Sequence, residues 1–243
     1  MKIFKTFESF LQEGVNDPGI LKAFFMAGGP GSGKSYVAGE LFSLPKDSSA
    51  SVSYDLGLKL VNSDAAFELL LKKANIDMAQ LMDIKDEDPA AWQDAMQIRD
   101  KAKKITKGTQ KMYIEGRLGM VIDGTGKNYK KIEGQVKELR ELGYDCYMVF
   151  VNTSKEVALD RNNNRARKLP VDMVTKMWQE VQDNLGKFQR LFKAKRFEIV
   201  DNSVYGDSQP TDLVGKEIRK FMGQPVSNPI GKQWIQDQKN SRK

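Results

Sequence analysis

Five short apolar runs punctuate the chain, separated by stretches in which apolar positions recur every three or four residues. The runs are ILKAFFMA (20–27), LKLVN (58–62), LGMVID (118–123), CYMVFV (146–151) and RFEIVD (196–201). Short and nearly continuous, they predict strands buried on both faces, as in a parallel sheet. Helical spacing predicts helices over 35–44, 65–73, 90–117, 130–142, 154–164, 171–192 and 211–222. On the long helix, Trp92, Met96, Ala102, Ile105 and Met112 fall near one face. The stretch 45–55 is polar and loop-like, and the acidic stretch 77–89 is read as partly loop. Alternating strands and helices predict an α/β fold whose parallel sheet is covered on both faces. Ligands then bind beyond the carboxyl ends of the strands.

The first strand–helix junction carries the most specific chemistry. Gly28, Gly29, Pro30, Gly31, Ser32, Gly33, Lys34 and Ser35 match the phosphate-binding pattern GxxxxGK[ST], with a strand before it and a helix after it. Glycines let backbone N–H groups wrap a phosphate, and the helix N-terminus favours negative charge. Lys34 is expected to reach the β- and γ-phosphates of ATP, and the Ser35 hydroxyl to hold Mg²⁺. Exposed in the loop, Lys34 contributes charge and not packing on this reading.

The ends of the next two strands add carboxylates. Asp64 follows the second strand and Asp123 closes the third. One carboxylate there can accept a proton from an acceptor hydroxyl while the other orders Mg²⁺, although aspartates also cap helices at such junctions. After the fourth strand, Arg161, Arg165 and Arg167 lie within about two helical turns, so they can converge on phosphate oxygens or stack on a base. A solvated basic helix end is the plainer account of them.

Composition removes several alternatives. The chain has 243 residues, no histidine and one cysteine, Cys146. Histidine-based triads, histidine-ligated metals and a disulfide framework are excluded, and a reducing compartment is implied. No apolar run is long enough to span a bilayer. The net charge is +7, yet the first hundred residues are net acidic. Positive charge concentrates in 101–140 and 161–198, a pattern that fits either polyanion contact or solvated helix faces.

The series GGPGSGKS, VNSD, VIDGTG, RNNNRAR and IVDNS, in this order over residues 20–222, resembles the P-loop kinases around zeta toxin and the phage polynucleotide 5′-kinases. The resemblance implies a P-loop NTPase three-layer αβα sandwich with a five-stranded parallel sheet and a mobile arginine-bearing lid, here 161–172. It implies transfer of the ATP γ-phosphate to a hydroxyl of a nucleic-acid end, nucleotide or nucleotide sugar. Asp64 matches the general base, Lys34 and Ser35 the phosphate and Mg²⁺ contacts, Arg165 the lid arginine, and Asp123 the acidic residue after strand three. Arg161 is expected to flank the adenine, and Arg167 to join the nucleotide site. The family often has an arginine three residues after the base; this chain has Phe67 there. That departure leaves the acceptor open.

The chain divides into an N-terminal peptide (1–19), the kinase-like region (20–222) and a C-terminal tail (223–243). The peptide MKIFKTFESFLQE, before Gly14, resembles capsid-targeting peptides of internal head proteins in large tailed bacteriophages. That implies host cytoplasm, association with a phage capsid and cleavage after Glu13. An amphipathic helix packed on the domain has the same pattern. A packaged protein that binds nucleotide or nucleic acid without turnover is the alternative function. The tail, with Trp234, reads either as a frayed end or as an arm across the domain.

Overall fold

The computed structural model describes residues 15–17, 19–44, 56–78, 81–165, 168–203 and 210–241. The expected targeting peptide and Arg167 therefore lie outside the described residues. Five parallel strands form one sheet in the order β2-β3-β1-β4-β5: β1 (Lys22–Ala27), β2 (Lys59–Val61), β3 (Met120–Asp123), β4 (Asp145–Asn152) and β5 (Phe197–Asp201). The register aligns Met26 with Asp123, Ala27 with Phe150 and Asn152 with Asp201, so the strands finish along a common edge.

Strand periodicity builds the two cores. On β1 and β4, Phe25, Met148 and Phe150 face one side, where α5 (Tyr129–Glu141) and α8 (Leu185–Phe192) cover them with Val136, Leu139, Phe188 and Phe192. Phe24, Met26, Tyr147 and Val149 face the other, under α1 (Lys34–Phe42) and α9 (Pro210–Gly223). A third cluster stands apart from the sheet. Phe67 and Leu71 of α2 (Ser63–Lys73), Leu81 of α3 (Leu81–Glu87), and Ala95 and Ala102 of α4 (Pro89–Glu115) bury one another. This helical unit lies beyond the β2 edge of the sheet.

One sequence assignment is sharpened and one corrected. The stretch 77–89, read as partly loop, holds helix α3 at its centre, and Asp88 then caps α4, accepting the Ala90 and Ala91 N–H groups at 3.1 and 3.0 Å with Pro89 at the first position. Acidic residues there mark a helix start as much as a loop. The single helix expected over 171–192 is two, α7 (Val171–Gln182) and α8, broken at Asp183–Asn184. Asn184 is buried at the break and donates to the Gly126 and Lys127 carbonyls at 3.0 and 2.9 Å. The break spares those two carbonyls from burial without a partner.

The tail is an arm. Helix α10 (Pro229–Asn240) packs Trp234 and Ile235 on the first core. Asp145, nearly buried at the start of β4, accepts the Ser227 N–H at 2.6 Å, the Ser227 hydroxyl at 2.9 Å and the Asn228 N–H at 3.1 Å. Lys22, 2% exposed at the start of β1, donates Nζ to the Phe221, Met222 and Gln224 carbonyls, at or just past the end of α9. A cation suits the carbonyl end of a helix. Burial nonetheless lowers its pKa from 10.5 to about 8, against the pull of Asp145. Among the described residues, no helix is long and apolar enough to cross a membrane.

Candidate functional site

Residues 28–33 turn from β1 into α1 in the conformation their glycines permit. Gly31 and Gly33 sit at φ +75° and +77°, and a Cβ on Gly31 would lie 2.3 Å from the Ala158 carbonyl oxygen. A Cβ on Gly33 would lie 2.2 Å from the Asn202 side-chain nitrogen. The loop is thus shaped by neighbours as well as by its own dihedrals. Asn202, just past β5, donates to the Ser32 carbonyl at 2.8 Å, while the Gly28 N–H donates to the Thr125 carbonyl at 3.1 Å. With no side-chain cap at Gly33, the first turn of α1 begins directly on the loop, leaving backbone donors of the kind that bind phosphate.

Helix α6 (Lys155–Asn163) and α7 close over this loop. Arg161, in the last turn of α6, donates to the Asn202 carbonyl at 2.8 Å and the Gly31 carbonyl at 3.4 Å. It therefore braces the phosphate loop against the end of β5. Trp178 of α7 donates its indole N–H to the Thr153 carbonyl at 2.9 Å, and its backbone lies against Gly29. Arg165 is exposed. It does not continue a helical patch with Arg161, because α6 ends at Asn163. The chain then turns back, and buried Asn162 clasps Leu169 through both its amide groups, at 2.9 and 3.0 Å.

The carboxylates stand at the same edge. Lys34 pairs with Asp123, their side chains only 15% and 9% exposed. This corrects the expectation of an exposed lysine: its charge is satisfied by Asp123 at the end of the third strand. Asn62 links the two aspartates, donating to Asp123 Oδ2 at 2.8 Å and accepting the Asp64 N–H at 2.8 Å as the cap of α2. Asp64 is largely exposed and pairs with Arg99 of α4 at 3.0 Å. The guanidinium carbon of Arg99 lies 4.7 Å from the centroid of the buried Phe67 ring.

The donor set suits a nucleotide with magnesium. Ser35 is exposed on the first turn of α1, and Asp123 lies within reach of Lys34 beside it. Among the described residues no group of three or more histidine, cysteine, aspartate or glutamate side chains could hold a metal by itself. Magnesium does not require one, since it is commonly held by one or two protein oxygens, waters and substrate phosphates.

Sequence reasoning missed Arg99, and it gave no role to Asn62, Asn162 or Asn202 within the motifs VNSD, RNNNRAR and IVDNS. Arg99 owes its role to a contact between segments that nothing local in the sequence marks. Phe67 stands where the resemblance led to the expectation of an arginine, and the Arg99 guanidinium of another helix lies over its ring.

A parallel five-stranded sheet with this loop at the end of its central strand defines a P-loop nucleotide-binding domain of the kinase-like type. A family model described as an AAA domain matches residues 24–188, and the chain belongs to that family. Comparison with curated proteins gives no significant match. Among solved structures, a complex of AvrRxo1-ORF1 with AvrRxo1-ORF2 holding sulphate ions is similar at TM-score 0.57 and 14% identity, over 81% of this chain and 60% of that one. The native form of the complex gives 0.52 and 12%, over 91% and 72%. The PezAT toxin–antitoxin system of Streptococcus pneumoniae gives 0.49 and 13%, over 84% and 87%. This chain spans less than two thirds of the first of these, and the likeness shows the fold alone.

Proposed function

We propose that this protein is an ATP- and Mg²⁺-dependent kinase that transfers the γ-phosphate to a hydroxyl of a nucleic-acid end, nucleotide or nucleotide sugar. The observation that carries the reading is one edge of the sheet. It bears the phosphate loop, a lysine paired with Asp123, and Asp64 tied to Asp123 through Asn62.

Backbone N–H groups of Gly31, Gly33 and Lys34 and the start of α1 receive the phosphates. Lys34 leaves Asp123 for the β- and γ-phosphates, and the freed Asp123 with Ser35 holds the metal side of the nucleotide. Ser35 and Asp123 would hold magnesium, which would supply charge neutralisation for the transferring phosphoryl group. Asp64 accepts the proton of the acceptor hydroxyl as its oxygen bonds to the γ-phosphorus. The bond to the β–γ bridging oxygen breaks, and ADP leaves with the electron pair. Arg165, on the loop between α6 and α7, adds positive charge over the transferring group and completes the arginine-bearing lid. Arg161 holds the loop's shape from below and, on this reading, also flanks the adenine.

The test is transfer of label from γ-labelled ATP to a panel of 5′-hydroxyl oligonucleotides, nucleosides, nucleotides and nucleotide sugars. Asp64→Asn is expected to keep ATP binding and to lose transfer by about two to four orders of magnitude. ATP binding without transfer to any acceptor supports the alternative of a packaged protein that binds nucleotide without turnover. Normal turnover by Asp64→Asn removes Asp64 from the base position.

A further inference from the structure

We infer that Arg99 is the acceptor's anion-binding residue, so that the hydroxyl compound phosphorylated here carries a phosphate or carboxylate close to its reacting hydroxyl. The inference rests on the kinase reading of Asp64.

Each carboxylate at the site is matched by a cation: Asp123 by Lys34, and Asp64 by Arg99. An arginine bonded to Asp64 at 3.0 Å occupies the carboxylate that a general base must offer to the acceptor hydroxyl. The conflict with Lys34 is resolved when ATP draws the lysine to its phosphates. Arg99 poses the same problem on the acceptor side, and an anion on the acceptor resolves it in the same way.

The structure makes that exchange easy for Asp64 and well directed for Arg99. The Asp64 side chain is 66% exposed, so its pair with Arg99 is weak and readily displaced. Arg99, in contrast, is held in place: its guanidinium lies over Phe67, which is 1% exposed within the helical cluster. The ring face attracts the guanidinium without using its N–H donors, which stay available to a polar partner. Among the described residues, Asp64 and the Phe67 ring are the ionic and ring partners of the guanidinium. An oxyanion taking its place on Arg99 would lie within about 6 Å of the Asp64 carboxylate, two hydrogen-bond lengths away. That span fits a hydroxyl and an anionic group on the same sugar or on adjacent carbons.

The test reads anion binding separately from nucleotide binding. AMP-PNP with Mg²⁺ is first titrated into the wild type, Arg99→Ala, Arg99→Lys and Phe67→Leu, with equal affinities expected. Inorganic phosphate is then titrated into the AMP-PNP-saturated proteins, whose phosphate loop is already filled. Wild-type protein is expected to bind phosphate, Arg99→Ala about ten- to a hundred-fold more weakly, and Arg99→Lys and Phe67→Leu in between. Transfer from labelled ATP to a nucleoside 3′-monophosphate is compared with transfer to the same nucleoside, and a sugar phosphate with the same sugar. Wild-type preference for the anionic member is expected to collapse in Arg99→Ala through KM.

Equal phosphate affinity in Arg99→Ala and wild type, absence of phosphate binding in wild type, or equal use of neutral and anionic acceptors overturns the inference. Failure of AMP-PNP to bind wild-type protein counts against the kinase reading. The phosphate titration is then repeated on Lys34→Ala with and without Arg99→Ala, and no difference between those two overturns the role of Arg99 independently.

Discussion

Replacing Lys34 with alanine should damage the protein twice, once in catalysis and once in the fold, and the second effect follows from Asp123. Their side chains are 15% and 9% exposed, so the pair is close to buried. Removing the lysine leaves a carboxylate with little solvent and with Asn62 as its remaining donor. Breaking a buried pair by removing one partner costs about 3–5 kcal/mol. The retained Asn62 bond and the residual exposure bring the expectation to about 2–3 kcal/mol. For a chain of this size that is a fall of about 5–10 °C in Tm. The assay is equilibrium urea unfolding without nucleotide, for Lys34→Ala, Asp123→Asn and the double variant. Neutralising Asp123 removes the charge that Lys34→Ala strands, so the double variant should be more stable than the sum of the single effects by about 1–3 kcal/mol. The pair also competes with ligand. In Mg²⁺-free buffer Asp123→Asn should therefore bind ATP more tightly than wild type, because Lys34 no longer has to leave a partner. Single-variant effects that add within about 0.5 kcal/mol would refute the reasoning. So would ATP binding without Mg²⁺ that weakens in Asp123→Asn.

Arg165→Ala should lower phosphate transfer about ten- to a thousand-fold with an unchanged melting curve, because the residue is exposed; normal transfer would separate Arg165 from catalysis. Lys22 gives a pH signature. Below pH 8 the folded and unfolded chains both hold its proton and the full cost of burying the charge is present, whereas between about 8 and 10.5 the unfolded chain alone keeps it, so stability rises with pH. Burial pushes the Cys146 thiol up to about 12, so its contribution to stability is lost progressively above pH 9. The clean window is pH 8–9, where a gain of about 1 kcal/mol is expected in urea unfolding; Lys22→Met should be flat there, and a flat wild-type profile would contradict the assignment. Deleting residues 225–243 should cost about 3 kcal/mol or more, by uncovering the core beneath Trp234 and stripping Asp145 of its Ser227 and Asn228 donors. An unchanged unfolding midpoint would mean that the arm is not held as described.

The strands and the phosphate loop were legible because each is written in contiguous residues. KAFFMA is buried at every position, and the glycines at 31 and 33 have the positive φ values that their motif needs. The strand-end aspartates were legible for the same reason, since sheet register places Asp123 beside Met26. The break between α7 and α8 was not, because helical periodicity runs through it, and its cause is a pair of carbonyls at Gly126 and Lys127, far away in sequence. Arg99 escaped likewise. It is an ordinary basic residue on a long amphipathic helix until α4 folds against α2 and sets it over Phe67. The helix after β4 was read to end at 164 and ends at Asn163, yet the arginines on either side of that end were grouped by spacing alone.

The C-terminal arm is fastened at Lys22 and Asp145, where β1 and β4 begin, while the phosphate loop and Asp123 stand where β1 and β3 end. Six residues of β1 separate the two ends, about 20 Å of strand. A tether attached after α10 would thus hold the molecule from behind. Immobilised on a sensor surface through that end, the protein would turn its nucleotide mouth and the Arg99 side toward the flowing solution. Attachment through a residue on the α2–α4 unit would instead crowd the approach to Asp64. The two orientations offer a practical way to tell ligands that enter at the phosphate loop from those that arrive beside the helical unit.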